Sequence, residues 1–130
     1  MEQINNVFSN IHSTVPVIGT DDIKKSIAYY TKVLGFFSDF EYGDPVVYAG
    51  VKSGNAEIYF THDPEVIHAI KARKINPEIF IWLSDAEKLF KEHVKNGAEI
   101  IEPISERAWG AKQYVIKDIN GYYLKFAQAL

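Results

Sequence analysis

The sequence predicts an α+β fold in which two tandem βαβββ modules form a curved mixed sheet around a cleft, with the helices on the outside. Three features of the chain point to it. The order strand, helix and three strands occurs once up to about residue 62 and again from about residue 77, so the chain carries an internal duplication. The approach to the last strand is alike in both halves: Val51-Lys52-Ser53-Gly54-Asn55 in one and Ile116-Lys117-Asp118-Ile119-Asn120-Gly121 in the other. Several strands also alternate aliphatic residues with aromatic and charged ones, the pattern of a sheet with one packed face and one face of different use.

The elements follow in chain order. A strand is expected at about residues 13–18. From Thr20 to Leu34, Ile23, Ile27, Tyr30 and Leu34 form an apolar stripe at helical spacing, with Thr20 or Asp21 as cap and Gly35 as terminator. Strands are expected at about 36–42, 45–52 and 56–61. The second helix runs from Ser84 to about Asn96: Ser84-Asp85-Ala86-Glu87 reads as a capping box, Leu89, Phe90 and Val94 supply the stripe, and Gly97 follows. Four more strands are expected at about 77–83, 99–104, 111–117 and 121–128. Module one thus covers about 13–62 and module two about 77–128, joined by a connector of about 63–76 with room for a short helix. Each half is about sixty residues, too small to close alone, and the 130 residues fit one domain.

Composition narrows the function. Hydrophobic residues are 47% and charged residues 24%, enough for a real core and unlike a disordered chain. The net charge of -3 leaves no excess of positive charge for phosphates, so nucleic acid is not an expected partner. With no cysteine, a disulfide framework, a zinc-thiolate site and a cysteine nucleophile are excluded by inventory. No run approaches the roughly 18–20 apolar residues of a membrane span, and MEQINNVFSN lacks the basic-then-apolar order of a signal peptide. No membrane contact and a cytoplasmic location are the expectations. Glycine-rich phosphate loops and a Gly-Xaa-Ser-Xaa-Gly elbow are absent as well.

The alternating strands locate a candidate site. In Glu78-Ile79-Phe80-Ile81-Trp82-Leu83 the aliphatic set should cover a helix, leaving Glu78, Phe80 and Trp82 on the other face. Ala56, Ile58 and Phe60 alternate with Glu57, Tyr59 and Thr61 in the same way, and Leu124 and Phe126 alternate with Tyr123, Lys125 and Ala127. So many aromatic side chains on one face would be a large exposed patch if they met only water; the expected use is a ligand-lined concavity. A solvated or dimer-covered face is the plain alternative. His62, His68 and His93 lack the i, i+4 spacing of a helical metal pair and are expected as surface or loop residues, and His12 has the opposite strand parity to Val15.

The stretch Val15-Pro16-Val17 with Asp22-Ile23-Lys24-Lys25-Ser26-Ile27-Ala28-Tyr29-Tyr30 and Val33-Leu34-Gly35-Phe36, together with Asp118 to Phe126, resembles the vicinal oxygen chelate superfamily of glyoxalase I, extradiol dioxygenases and bleomycin resistance proteins. The resemblance implies that each module curls halfway round a cleft and that a homodimer encloses it. It also implies four inward positions where metal-dependent members carry His or Gln and Glu; here they fall on Val15, Glu57, Glu78 and Lys125. A valine offers no donor and an ammonium group repels a cation, so neither a metal nor another cofactor is expected. Lys125 would instead compensate Glu57 or Glu78.

Arg107-Ala108-Trp109-Gly110-Ala111-Lys112-Gln113-Tyr114 is most similar to the bleomycin resistance branch, whose members sequester a planar drug between aromatic side chains and perform no chemistry. The resemblance then implies a small, flat aromatic ligand stacked by Tyr59, Phe80, Trp82, Trp109 and Tyr123, with Glu57, Glu78 and Lys125 as charged neighbours and no catalytic residue. Trp109, beside a glycine, would alternatively pin its turn. The rival expectation is a metal-dependent lyase, isomerase or dioxygenase of the same superfamily with Glu57 or Glu78 as general base. A sensor or partner-binding module is the third.

Overall fold

The computed structural model describes residues 7–130. Asp22 starts the first helix, its carboxylate accepting the Lys25 amide at 3.0 Å, and α1 spans Ile23–Lys32. Its buried stripe is Ile23, Ser26, Ile27 and Tyr30, and the chain turns out of the helix through Gly35 at φ 86°, a left-handed conformation that glycine adopts without strain. The strands of module one are β1 (Val17–Thr20), β2 (Phe37–Tyr42), β3 (Tyr48–Ser53) and β4 (Ala56–His62), in sheet order β1-β4-β3-β2. Those of module two are β5 (Glu78–Trp82), β6 (Glu99–Arg107), β7 (Ala111–Lys117) and β8 (Tyr123–Ala129), in the matching order β5-β8-β7-β6. In each module the first and last strands in chain order, β1 with β4 and β5 with β8, pair in parallel and the other pairs are antiparallel, so the duplication expected from the sequence is carried into topology. Among the described residues the result is an α+β fold of two four-stranded mixed sheets and three α-helices, curved and not closed.

Several boundaries differ from the sequence expectation for identifiable reasons. The first strand forms at Val17–Thr20, later than 13–18, because Pro16 has no amide hydrogen; its carbonyl accepts Tyr59 N at 3.0 Å and the ladder begins there. The third strand starts at Tyr48, beyond the Gly43 to Pro45 turn. The connector holds a full helix, α2 (Pro64–Arg73), capped by Asp63, opened by proline and closed by Lys74 in the left-handed region. On α3 (Ala86–Lys95) the capping residue is Asp85, which accepts Lys88 N at 3.1 Å, so Ser84 does not cap as the capping box anticipated.

Both modules feed one core, with Ile27 and Tyr30 from α1, Val51, Ile58 and Phe60 from the first sheet, and Tyr114, Leu124 and Phe126 from the second. Burying an aliphatic or aromatic side chain of this kind contributes roughly 1.5–3 kcal/mol. Polar contacts then fix how the modules meet. The β7–β8 turn seats on module one: Tyr30 Oη donates to Asp118, Thr20 Oγ1 donates to Asn120 Oδ1 at 2.9 Å, and Gly19 N donates to Tyr122 Oη at 3.1 Å. Burial raises the Asp118 carboxyl above its ordinary range, against the lowering effect of hydrogen bonds from Tyr30, Tyr122, Asn120 and Gly121.

His93 is the second latch and corrects the expectation of a surface histidine. It is 1% exposed, with Nε2 bonded to the Leu34 carbonyl at 3.0 Å and Nδ1 to Tyr114 Oη at 2.9 Å. A neutral ring with its proton on Nε2 satisfies both partners, and burial lowers the pKa accordingly. The helical stripe therefore passes through His93, four residues after Leu89, while Val94 is left largely exposed. Among the described residues no helix is long and apolar enough to cross a membrane.

Candidate functional site

Helix α1 backs one face of the first sheet and α3 one face of the second, and the opposite faces carry the alternating residues. In module two, strand register gives this face as rungs across β5, β8, β7 and β6. One rung is Glu78, Tyr123, Lys117 and Glu99; the next is Phe80, Lys125, Val115 and Glu102; the third is Trp82, Ala127, Gln113 and Ser105. Trp109, in the β6–β7 turn, folds back onto this surface, its ring centroid 6.0 Å from Phe80 and 6.2 Å from Trp82, while Phe80 and Trp82 are 4.9 Å apart. The three rings remain open to solvent, with Phe80 44%, Trp82 60% and Trp109 57% exposed.

Electrostatics on the same face are paired. Lys125 Nζ lies 3.0 Å from Glu78 Oε1, a diagonal contact between neighbouring strands of one sheet. Both side chains are partly solvated, so the pair contributes at most about 1 kcal/mol to stability. Its consequence is local, since the ammonium group occupies the carboxylate.

Module one repeats the theme. Glu57, Tyr59 and Thr61 line its face, and Tyr59 Oη donates to Glu57 Oε1 at 3.4 Å; the Glu57 charge raises the Tyr59 hydroxyl pKa. Phe40 and Tyr48, which the sequence reading did not single out, pack on Tyr59 with centroids at 5.2 and 5.8 Å. Gly50 is what admits Phe40: a Cβ there would lie 2.4 Å from the ring. Gly50 lies directly opposite Phe40 in the register, beyond a shift between Ser38 and Phe40 that sequence alternation does not reveal.

The structure thus gathers Phe80, Trp82 and Trp109, joins Glu78 to Lys125, places Tyr123 beside them on β8, and sets Glu57 with Tyr59 on the other module. A cleft of about 350 Å³ at the seam is lined by Thr14, Pro16, Glu57, Ile79, Phe80 and Trp82, so the two groups share a border. A larger hollow of about 510 Å³ lies elsewhere, by α2 and the β7–β8 turn, where Lys71, Lys74 and Lys117 alternate with Asp21, Glu99 and Asp118. It has no aromatic lining.

The sequence profile of the Glyoxalase/Bleomycin resistance protein/Dioxygenase superfamily matches residues 10–126. The chain belongs to this superfamily. No protein of curated function matches it by sequence. Among solved structures of the superfamily's shape, TioX from Micromonospora sp. ML1 superposes with a TM-score of 0.77 at 20% identity, covering 92% of this chain and 99% of that one. The bleomycin-binding protein of bleomycin-producing Streptomyces verticillus, solved with copper(II)-bleomycin, gives 0.75 at 20% identity over 93% and 98%. A glyoxalase-related enzyme from Clostridium phytofermentans gives 0.73 at 19% over 92% and 96%. At these identities the likeness is one of fold.

Superfamily membership raises the question of a resident metal, and the donor set does not fit one. Glu78 precedes by two residues the β5 partner of Lys125, and Val15 precedes by two the β1 partner of Tyr59. The duplication therefore makes Tyr59, rather than Glu57, the counterpart of Lys125. The four positions then hold a valine that lies ahead of β1, a tyrosine, a carboxylate engaged by an ammonium group, and that ammonium group itself. Among the described residues no three His, Asp or Glu side chains converge as ligands for a metal ion. A hard cation needs several oxygen or imidazole donors, which this arrangement does not offer.

Proposed function

We propose that this protein is a metal-free binding protein that sequesters a small, flat aromatic molecule, acting in the cytoplasm as a homodimer in the manner of bleomycin-resistance proteins. The observation that carries the reading is the open cluster of Phe80, Trp82 and Trp109. Rings held edge-to-face and still exposed offer a stacking surface at low entropic cost, and they serve no evident purpose in the core. Glu57 shares the seam cleft with Phe80 and Trp82, Glu78, Tyr123 and Lys125 lie on the same module-two face, and with Tyr59 beside Glu57 they would orient polar substituents. The bleomycin-binding protein of Streptomyces verticillus supports the reading by fold. The glyoxalase-related enzyme shares that fold too, so the choice between binding and catalysis rests on the site's own chemistry.

The test is a titration with metal-free bleomycin and with the planar tricycle acridone, followed by tryptophan fluorescence and calorimetry. Saturable binding by wild type, lost in Trp82→Ala with a fall in Tm below about 4 °C, is expected, because truncating a largely exposed side chain costs about 1 kcal/mol or less. Binding that survives Trp82→Ala with a large fall in Tm would show that Trp82 holds the fold. Near-stoichiometric zinc, nickel, iron or manganese retained after dialysis against metal-free buffer would overturn the metal-free reading.

A further inference from the structure

On the aromatic face of module two, one buried polar group has no partner. Gln113 is 7% exposed, and among the described residues its Oε1 has no hydrogen-bond partner. It is not a core residue displaced by chance: Tyr114 and Ile116, its neighbours of opposite parity and beyond, enter the core, while Gln113 lies in register with Ala127 and, through it, with Trp82. Its neighbour on β6, Ser105, already accepts Arg107 Nη1 at 2.9 Å. An unmet buried amide oxygen costs about 1–3 kcal/mol, and an aliphatic side chain of similar volume would avoid that cost.

The surroundings fit a planar guest. Ala127, between Gln113 and Trp82, and Ala111, two residues before Gln113, are small and fully buried. Trp109 stands in the β6–β7 turn yet meets Trp82 on β5, so the two indoles come together across β8 and β7, where Ala127 and Ala111 present only methyl groups. The Trp109 ring is 57% exposed, so it has room to change rotamer as a guest binds.

We propose that Gln113 determines specificity in the aromatic site: its carboxamide oxygen accepts an N–H or O–H carried by a flat ring bound against Trp82 and Trp109. The site then selects heteroaromatic ligands with a donor on the ring system over isosteres that lack it. This rests on the reading that the cluster binds a flat ligand, and it adds the polar group that such a ligand must carry. Recognition of this kind discriminates between isosteres, because only the ligand with a donor supplies the hydrogen bond that the buried acceptor lacks in the free protein.

The probes are acridone and xanthone, planar tricycles of the same shape that differ by a ring N–H in place of a ring oxygen. Both tryptophans of the chain lie in the cluster, so tryptophan fluorescence reports the site directly. Wild type is expected to bind acridone about tenfold more tightly than xanthone. Gln113→Leu should bind both alike with an unchanged or higher Tm, and Gln113→Glu should keep the preference. Equal affinities in wild type, or a preference that persists in Gln113→Leu, would overturn the role of Gln113 while leaving the cleft reading intact. A fall in Tm beyond about 5 °C in both Gln113→Leu and Gln113→Met would assign the carboxamide to the fold and overturn the proposal. Binding of neither probe by wild type would overturn the parent reading along with this one.

Discussion

Replacing His93 with alanine tests how the modules are held together. The side chain bridges the end of α1 in module one to Tyr114 in module two, and its removal strands two buried groups, the Leu34 carbonyl and Tyr114 Oη. Each orphaned group costs about 1–3 kcal/mol, and the void adds to that, so a total of about 3–5 kcal/mol is expected. With an unfolding entropy near 2.1 cal/mol/K per residue, a chain of 130 residues has roughly 0.27 kcal/mol/K, and the loss corresponds to a fall in Tm of roughly 11–18 °C at pH 8. The pH dependence supplies a second readout. Burial lowers the His93 pKa from 6.5, so the folded state resists protonation more than the unfolded state does. Its stabilising contribution is complete above 6.5 and is lost as pH falls from there through the lowered folded value. Thermal unfolding followed by far-UV circular dichroism between pH 8 and 5 should therefore show the wild type converging towards His93→Ala on acidification. A change in Tm below about 3 °C at pH 8, or parallel pH profiles for the two proteins, would refute the latch.

Further outcomes follow from other contacts. Tyr30→Phe removes a donor to a buried carboxylate and should lower stability by about 1.5–3 kcal/mol in urea denaturation. Because burial raises the Asp118 pKa above 3.8, its contribution is complete below 3.8 and is lost as pH rises through the folded value; Tm of wild type relative to Asp118→Asn should climb on acidification, and a flat difference would count against it. Gly50→Ala places a methyl group 2.4 Å from the Phe40 ring and should cost about 1–3 kcal/mol while displacing that ring, visible as altered aromatic chemical shifts for Phe40 and Tyr59. Lys125→Met should change Tm by less than about 4 °C, since its ion pair is partly solvated; a larger fall would mean the pair is structural.

Strand alternation made the aromatic face of β5 and β8 legible, because a period of two with one aliphatic set leaves a single choice of face. The turn with Asp118 and Gly121 placed the start of β8 to within two residues, expected at about 121 and observed at Tyr123. Other parts of the site were hidden for physical reasons. In Phe36-Phe37-Ser38-Asp39-Phe40, Phe36 is buried and Phe37 exposed, and the pairing with β3 shifts between Ser38 and Phe40, so alternation alone does not show that Phe40 joins Tyr59. Gln113 sits on a strand buried on both faces, where polarity is a poor guide to what covers a residue. His93 looked like a surface residue because the apolar stripe was drawn through Val94; its partners lie 59 and 21 residues away in sequence, and local periodicity carries no information about them. Val15 failed as a strand position because the proline after it delays the ladder.

The β7–β8 turn has a further consequence for how such a duplicated chain diverges. Its counterpart in module one, Ser53-Gly54-Asn55, borders the seam hollows and carries none of the Asp118 and Asn120 contacts. The two repeats are therefore alike in backbone but not interchangeable: one supplies the socket of Thr20, Tyr30 and Ser26, whose Oγ accepts Asn120 Nδ2 at 3.1 Å, and the other supplies the plug. A chimera built from two copies of module one would contain sockets without a plug, and its halves would lack the polar contacts that set their angle. Ancestral symmetry has become a division of labour, and further change on either aromatic face can proceed without disturbing the joint that orients them.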